Sequence, residues 1–465
     1  MSDRPNVVEI IWHDLGDWLG CYNRADVASP SLDAFAEQGV VLENHFCAAP
    51  QCSASRATIM TGRYPQSHGV MGLVHRGWRY NPGERDLPSL LGDAGYQTAL
   101  VGFQHERHDP AELAYHQSWT QFANAVGKMP AEDAHADVNA ARAVEYLQQR
   151  GQSGTPFFLS VGFTEVHRPF GAQYDPDVAS RLTVPGFLPD EAIVRKDMAT
   201  FYNGIRRADA AAGRILRALH ESGLEENTLV FFTTDHGPEI PRAKMTVYDP
   251  GIKVAMLVRF PGVFPAGTSI QALTSHVDIL PTILQAANVP IPANVQGRSV
   301  FDVLAGNTHD HRDAIFAQMT WHGGEYDPMR CVRTPRFKYI RNYLPGWPPQ
   351  MGGSYVQRYG DEFIHRHFAS ARPAEELYNL QADVWEQTNL AQDPAYQSLK
   401  SELSARLLAW EQSIDDPLLR GHIVVADRSK VGSGCVWAKF PPYDPREQEF
   451  RFGIVRTRDF VDNPL

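Results

Sequence analysis

The first regular element of the chain is the run Val7-Val8-Glu9-Ile10-Ile11-Trp12, which leads directly into His13-Asp14. A nearly continuous apolar run rich in valine and isoleucine is typical of a strand buried on both faces of a parallel sheet. The polar pair then falls where the strand ends. In open α/β sheets ligands bind outside the carboxyl ends of the strands, so this pair is a candidate for a functional site.

Similar apolar runs recur along the chain, and helical patterns separate them. The sequence predicts further strands over residues 97–101, 156–163, 228–234 and 254–260. It predicts helices over residues 30–39 (with Ser29 as the N-cap), 54–60, 86–94, 133–149, 198–219 and 278–287. Strands that alternate with helices predict an α/β fold with a doubly wound, mostly parallel sheet, which we assign to residues 1–305.

The alternation stops after about residue 306. Short strands are predicted over residues 314–319, 331–334 and 337–341, and an amphipathic helix over 396–414. These elements predict a smaller C-terminal α+β domain with an antiparallel sheet, residues 306–420. The tail, residues 421–465, has several glycines, prolines and charges. We predict that it packs on the first domain or on a second copy of the chain in a homo-oligomer.

Composition narrows the class of protein. The chain has 465 residues, 43% of them hydrophobic and 21% charged, which is ordinary for a globular protein. A formal net charge of −11 argues against nucleic acid or an anionic membrane as a partner. The start of the chain shows no signal-peptide pattern, and no apolar stretch is long enough to span a bilayer. The five cysteines are scattered, which predicts a reducing, cytoplasmic location.

A second polar pair, Asp235-His236, follows the predicted strand over residues 228–234. Together with His13 and Asp14 it offers two carboxylates and two imidazoles, which can converge on one divalent cation. Taken singly, each of these residues is more often a packed ring or a turn residue. Their shared position at strand ends is what favours ligation.

The segment Cys52-Ser53-Ala54-Ser55-Arg56, which continues to Thr61-Gly62-Arg63, lies where a loop turns into a short helix. A helix N-terminus carries partial positive charge and free N–H groups, so it suits an anion. Arg56 is one turn beyond Cys52 and adds a positive guanidinium to the same face. Without other signals this pattern would be a half-buried thiol beside an arginine.

Cys52 to Arg63 resembles the signature of type I sulfatases, which have an alkaline phosphatase-like fold. The resemblance implies that a formylglycine-generating enzyme converts Cys52 to formylglycine, with Ala54 and Arg56 as part of the recognised motif. It further implies one divalent metal, usually Ca²⁺, held by His13, Asp14, Asp235 and His236. Most members have aspartate where this chain has His13, and an imidazole suits Mn²⁺ or Zn²⁺ better than Ca²⁺.

Three further segments extend the resemblance. His105 matches the family's G-K-x-H element, in which Phe103 replaces the lysine. His167 matches the leaving-group histidine, and Lys244, rather than Arg242, matches the sulfate-binding cation. The implied roles are catalytic. Arg56 stabilises residue 52, His167 with Lys244 protonates the leaving group, and His105 takes a proton from residue 52 as sulfate departs.

The sequence resembles most the branch that contains heparan N-sulfatase and its bacterial relatives. The implied activity is hydrolysis of an aryl sulfate, sugar sulfate or N-sulfate, with a small sulfated molecule as substrate. One alternative is a phosphonate monoester or phosphodiester hydrolase of the same superfamily, which the missing lysine and the Asp-His pair favour. Another is a binding protein in which Cys52 stays unconverted.

Overall fold

The computed structural model describes residues 4–120, 135–151, 153–170, 174–322, 325–349, 353–421, 423–424 and 436–437. Its strands, in chain order, are β1 (Asn6–Trp12), β2 (Val40–Leu42), β3 (His45–Phe46), β4 (Gln97–Gly102), β5 (Gln117–Trp119), β6 (Phe157–Phe163), β7 (Thr228–Thr234), β8 (Met256–Arg259), β9 (Thr268–Ile270), β10 (Thr274–Ser275), β11 (Ile315–His322), β12 (Glu325–Arg333), β13 (Phe337–Asn342), β14 (Glu375–Asn379), β15 (Ile423–Val424) and β16 (Val436–Trp437).

The α-helices of the described residues are α1 (Pro30–Glu37), α2 (Cys52–Thr61), α3 (Pro65–His68), α4 (Leu87–Asp93), α5 (His135–Arg150), α6 (Pro176–Arg181), α7 (Ala192–Glu221), α8 (Asp249–Ile252), α9 (Ile279–Ala286), α10 (Phe301–Leu304), α11 (Gly353–Tyr359), α12 (Asp361–Phe368) and α13 (Gln397–Ser413). The predicted start of α5, near residue 133, lies outside the described residues.

The larger sheet has eight strands in the order β5-β4-β6-β1-β7-β8-β2-β9. The strand β1 is central and pairs in parallel with β6 on one side and with β7 on the other. Only β8 runs against its neighbours β7 and β2. The prediction of a doubly wound, mostly parallel sheet is therefore confirmed.

Both faces of the larger sheet are covered, as the apolar runs require. Val8, Ile10 and Trp12 of β1 pack in one hydrophobic cluster with residues of α1, α5 and α7. The alternate residues Val7 and Ile11 pack in a second cluster with residues of α2, α4 and α9. Because successive side chains of a strand point to opposite faces, one continuous apolar run serves both clusters.

Glu9 is the one acidic residue of β1, and it lies on the same face as Val7 and Ile11. Its carboxylate accepts a hydrogen bond from the Ser160 hydroxyl at 2.6 Å. The other carboxylate oxygen is buried and has no partner within the described residues. Burial raises the pKa of Glu9 to about 7.

The N-terminus of α1 corrects one prediction. Ser29 occupies the N-cap position, but its hydroxyl does not cap the helix; it accepts a hydrogen bond from the Gly20 amide at 2.8 Å. The amides of Ser31 and Leu32 donate instead to the carboxylate of Asp209 in α7, at 3.0 and 2.9 Å. A residue distant in sequence thus replaces the local cap.

The smaller sheet has the antiparallel order β11-β12-β13-β14, as the predicted C-terminal α+β architecture requires. The helix α13 packs in one cluster with Val332, Tyr339 and Leu377 of this sheet. The strand β12 begins earlier than predicted, and β14, α11 and α12 were not predicted. Pro328 argues against a strand, yet β12 accommodates it opposite a register irregularity between Met319 and Trp321.

The domain boundary near residue 306 stays a prediction. Of the predicted tail, residues 421–465, the structure describes only a short pairing of β15 with β16 besides residue 421. Among the helices that the structure describes, none combines the length and apolar character needed to cross a membrane.

Candidate active site

Four neighbouring strands, β4, β6, β1 and β7, deliver the candidate site residues. Three of these strands, β4, β1 and β7, end directly before one of them, and β6 ends four residues before His167. Phe103 and His105 follow β4, His167 follows β6, His13 and Asp14 follow β1, and Asp235 and His236 follow β7. Because these strands are parallel to one another, their carboxyl ends lie side by side. Residues up to 223 positions apart in sequence are therefore neighbours in space.

The four predicted metal ligands, together with Cys52, form one buried cluster. Their ligand atoms all lie within 4.8 Å of one another. The Nδ1 atom of His13 is 2.8 Å from an oxygen of Asp14 and 3.1 Å from an oxygen of Asp235. The Nε2 atom of His236 is 3.4 Å from the same Asp14 oxygen. Ligands that share one small cation have this spacing, since each lies about 2 Å from the ion.

The protonation of this cluster suits a cation. The Nδ1–H group of His236 donates to the Gly237 carbonyl at 2.9 Å, which leaves the Nε2 lone pair directed at the cluster. Burial lowers the pKa of His13, so its imidazole is neutral. Burial alone would raise the pKa of Asp14, but Lys244 and His167 hold it well below its usual range. Two carboxylates and two imidazoles fit one divalent metal.

Residue 52 lies at the first position of α2, facing this cluster. Its Sγ atom is 3.5 Å from Nε2 of His236. Burial raises the pKa of the Cys52 thiol well above its usual range.

Arg56 lies one turn further along α2 and is fully buried. Its Nε–H group donates to Asp235 at 3.0 Å. The two terminal nitrogens, Nη1 and Nη2, are buried and have no hydrogen-bond partner among the described residues. An unpaired guanidinium edge next to residue 52 is a site for an anion with several oxygens.

Phe103 fills the space beside these residues. Its ring centre lies 4.4 Å from that of His13 and 4.9 Å from the Cζ atom of Arg56. The aromatic ring adds no charge, and it supports the imidazole and the guanidinium by packing.

A second cluster next to the first contains Lys244, Glu239 and His167. The Nζ atom of Lys244 lies 2.7 Å from Asp14 and 3.1 Å from Glu239. The Nε2 atom of His167 is 3.7 Å from the same Glu239 oxygen. Burial alone would lower the pKa of Lys244, but Asp14 and Glu239 hold it well above its usual value. Lys244 is therefore a fixed positive charge.

Arg242, the alternative to Lys244, points elsewhere. Its guanidinium donates to the Glu386 carbonyl at 2.9 Å and lies over the ring of Tyr248. The structure thus brings together all nine predicted site residues: Cys52, Arg56, His105, His167, Lys244, His13, Asp14, Asp235 and His236. Their roles in catalysis and metal binding stay predictions.

Sequence reasoning missed three residues near the site. Glu239 pairs with Lys244, His75 contacts His105 at 3.0 Å, and the charges of Lys244 and Glu239 act on His322 at the end of β11. Glu239 follows Asp235-His236 closely in sequence, which is a signal that was available. His75 and His322 belong to segments with no chemical motif, so only the fold brings them here.

This geometry defines a hydrolase of the alkaline phosphatase-like fold, with a residue at a helix start facing a cluster of metal ligands. The family model described as "Sulfatase" matches residues 5–289, and the one described as "N-sulphoglucosamine sulphohydrolase, C-terminal" matches residues 242–346. The chain belongs to the sulfatase family, whose members are sulfuric ester hydrolases.

Two characterised relatives illustrate the family. An ulvan-active sulfatase of Formosa agariphila is 28% identical, and the alignment covers 90% of this chain and 76% of the relative. Human N-sulphoglucosamine sulphohydrolase is also 28% identical, over 89% of this chain and 91% of the relative.

Solved structures show the same fold at lower identity. A protein in complex with its substrate D-glucosamine-2-N,6-O-disulfate has a TM-score of 0.69 and 19% identity, and the match covers 89% of this chain and 99% of that one. A phosphonate monoester hydrolase from Silicibacter pomeroyi also has a TM-score of 0.69, with 20% identity over 89% and 97% of the two chains. The same fold therefore occurs in a protein with a sulfated sugar substrate and in a phosphonate monoester hydrolase.

Proposed function

We propose that this sulfatase acts on sulfated sugars, at an O-sulfate or an N-sulfate, through a formylglycine made from Cys52 and one divalent metal ion. The named activities of the two relatives and the match to the N-sulphoglucosamine sulphohydrolase C-terminal model support the choice of a sugar. One observation carries the proposal. The unpaired guanidinium edge of Arg56 lies buried beside residue 52, where an anionic ester must bind.

The hydrated aldehyde of formylglycine supplies a hydroxyl nucleophile, which a thiol of raised pKa does not. Arg56 orients residue 52 and binds an oxygen of the sulfate group. Lys244 adds a second positive charge, which stabilises the negative charge that develops on the sulfate oxygens. His105 takes a proton from the hydroxyl of residue 52 when sulfate leaves.

In this proposal His167 donates a proton to the leaving group. Its Nδ1–H group donates to the Arg168 carbonyl, so Nε2 is the atom that faces the site. The Glu239 carboxylate lies 3.7 Å from this Nε2 atom. Asp14 and Glu239 hold the pKa of Lys244 well above its usual value, which favours Lys244 as a fixed charge. We therefore assign the proton to His167 and the fixed charge to Lys244.

The metal that these residues would hold supplies charge stabilisation at residue 52 and lowers the pKa of a hydroxyl there. His13, Asp14, Asp235 and His236 provide two nitrogens and two carboxylates. Calcium prefers oxygen ligands alone, whereas Mn²⁺ and Zn²⁺ accept imidazole. We infer that Mn²⁺ or Zn²⁺ binds here in preference to Ca²⁺. Elemental analysis after dialysis against equal concentrations of the three ions tests this, and Ca²⁺ alone at one ion per chain would contradict it.

A phosphonate monoester hydrolase is the second candidate. Two features favour it. Phe103 replaces a lysine that binds sulfate in most family members, and histidines stand at two of the four predicted metal-ligand positions. Nitrophenyl sulfate, N-sulfoglucosamine and nitrophenyl phenylphosphonate can be compared on fully converted, metal-defined enzyme. We expect the highest kcat/KM for a sulfated compound. A preference for the phosphonate by tenfold or more, about 1.4 kcal/mol in the barrier, would favour the second candidate.

Replacement of residue 52 is the control. Cys52→Ala is expected to abolish turnover of every substrate while keeping the fold, because in this proposal the sulfate is transferred to residue 52 itself. Peptide mapping of the wild-type protein decides whether residue 52 is formylglycine. An unconverted cysteine in a fully active enzyme, or activity of Cys52→Ala within tenfold of wild type, would contradict the proposal.

A further inference from the structure

His75 lies beside His105 at the edge of the candidate site. The Nδ1 atom of His75 is 3.0 Å from the Nε2 atom of His105, and the two rings are almost parallel, with 3° between their planes. A hydrogen bond between two imidazole nitrogens needs one N–H donor and one lone pair. This contact therefore couples the proton positions of the two rings.

The other nitrogen of His105, Nδ1, is buried and has no hydrogen-bond partner among the residues that the structure describes. If Nε2 carries the proton and donates to His75, then Nδ1 carries the lone pair and can act as a base. In the opposite tautomer Nδ1 would bear a proton and could not accept another.

The position of His75 is fixed from the helix that carries residue 52. The amide of Val74 donates to the hydroxyl of Ser53 at 3.1 Å, and Ser53 is the neighbour of Cys52 in α2. The short turn is closed by the Gly77 amide, which donates to the Val74 carbonyl at 3.0 Å. Burial lowers the pKa of His75 to about 4, so its ring is neutral and keeps a lone pair with which to accept.

We propose that His75 is a positioning residue that accepts a hydrogen bond from Nε2–H of His105 and so keeps the Nδ1 lone pair of His105 free for the second half-reaction. This inference rests on the proposed function. In that step the hydroxyl of sulfated residue 52 gives its proton to Nδ1 of His105. The bond from the residue 52 carbon to the sulfate oxygen then breaks, its electron pair leaves with sulfate, and the aldehyde C=O forms again.

The test uses two substitutions of nearly equal size. The amide oxygen of Asn in His75→Asn can accept a hydrogen bond near the place of Nδ1, whereas the side chain of Leu in His75→Leu cannot. With nitrophenyl sulfate, we expect His75→Leu to lower kcat by about a hundredfold, within the range for general base catalysis, with KM changed less than about threefold. We expect kcat of His75→Asn to be at least tenfold higher than kcat of His75→Leu.

Rapid mixing adds a readout that a loss of packing would not change. Since His75 acts only on regeneration, His75→Leu should still release a burst of nitrophenol, and sulfated residue 52 should accumulate in peptide maps during turnover. His108, which is exposed and close to His75, provides the matched control. His108→Leu should leave kcat and the burst unchanged. If His75→Leu does not fold, His75→Asn is compared with His75→Ala in the same way.

Equal kcat values for the Asn and Leu variants, within threefold, would overturn the inference, as would loss of the burst in His75→Leu. Either result with an active wild-type enzyme leaves the proposed function intact. A wild-type enzyme that carries formylglycine but turns over no sulfate would contradict the proposed function itself.

Discussion

At the scale of single residues, His167 and His105 are held through opposite ring nitrogens. Nδ1 of His167 is engaged with Arg168 and its Nε2 faces Asp14 and Glu239, whereas Nε2 of His105 is engaged with His75 and its Nδ1 is buried without a partner among the described residues. The same side chain can therefore serve as an acid in one place and as a base in the other, because the partner of the second nitrogen differs. The partner of His167 is the next residue, Arg168, whereas the partner of His105 is a residue 30 positions away in sequence.

This division predicts different effects of two substitutions. His167→Ala should lower kcat/KM for an alkyl or sugar sulfate by about a hundredfold or more, and for nitrophenyl sulfate by less than tenfold, because nitrophenolate leaves without a proton. His105→Ala should slow all substrates and trap sulfated residue 52. Steady-state kinetics on both substrates, together with mass spectrometry of the peptide that contains residue 52, make the comparison. Equal losses on all substrates in both variants, without trapping, would contradict it.

The sequence predicted the residues that belong to recognisable patterns. His13-Asp14 and Asp235-His236 end two apolar runs, and Cys52 opens a helix. His75 was missed because an imidazole contact leaves no periodic trace in a sequence, whereas Glu239 follows Asp235-His236 closely and could have been singled out. Such partners depend on how two loops approach each other, which the pattern of one strand or helix does not specify.

At the scale of elements, α2 is short and its end is sharply defined. Gly62 follows it with φ of 64°, a left-handed conformation that favours glycine. A Cβ atom at this position would lie 3.0 Å from Val295 and 3.3 Å from Leu280. The helix that presents residue 52 and Arg56 thus ends at a position where both the backbone and the packing demand glycine.

Two alanine substitutions separate the energetic cost of the left-handed backbone from the cost of the packing. Gly223 ends α7 with φ of 66°, but a Cβ atom there would meet nothing within 4 Å. Gly223→Ala should cost about 1 kcal/mol from the left-handed conformation alone. Gly62→Ala should cost roughly 1 kcal/mol more because the neighbouring side chains must move. Denaturant unfolding of both variants measures the free energies. A smaller loss for Gly62→Ala than for Gly223→Ala would show that the packing adjusts freely.

The elements of the larger sheet were predictable because buried parallel strands are long apolar runs. The strand β14 was not, since it begins with Glu375-Glu376 and gains its place through tertiary contacts. Glu376 is buried and accepts hydrogen bonds from Tyr248 and from Asn342, at 2.8 and 2.6 Å. Where buried polar groups satisfy each other across distant segments, local propensity is a poor guide.

At the scale of the whole molecule, the order of strands in the larger sheet creates the site. The sequence predicted most of its strands but not their order, because pairing partners depend on how the connections cross the sheet. The order β4-β6-β1-β7 is what brings four strand ends together. The same order buries Glu9 in the centre of the molecule, between β6 and β7.

Glu9 predicts a pH dependence of global stability. Its pKa is about 7 in the folded protein and about 4.5 when unfolded, so the folded state binds more protons between these values. Stability should therefore fall as pH rises from about 4.5 to 7 and stay low above that range, by an amount on the order of 3 kcal/mol from this group. The glutamine in Glu9→Gln has no proton to lose between about pH 4.5 and 7. The free energy of unfolding of Glu9→Gln minus that of wild type should therefore increase as pH rises through this range.

Thermal unfolding at pH 5 and pH 8 measures the effect. The exposed Glu37 supplies the control, since Glu37→Gln leaves the side chain in water in both states and should change stability equally at the two pH values. If Glu9→Gln gains no stability over wild type between pH 5 and pH 8, the carboxylate must be charged in the folded core at both.

The cap of α1 by Asp209 has a consequence for how folding can be followed. The amides of Ser31 and Leu32 are satisfied only when α7 is docked against α1. Their exchange with deuterated solvent therefore reports the docking of two segments that are more than 170 positions apart in sequence, and not the local helicity of residues 30–37. The exchange rates of these two amides therefore measure when α1 and α7 pack against each other during folding.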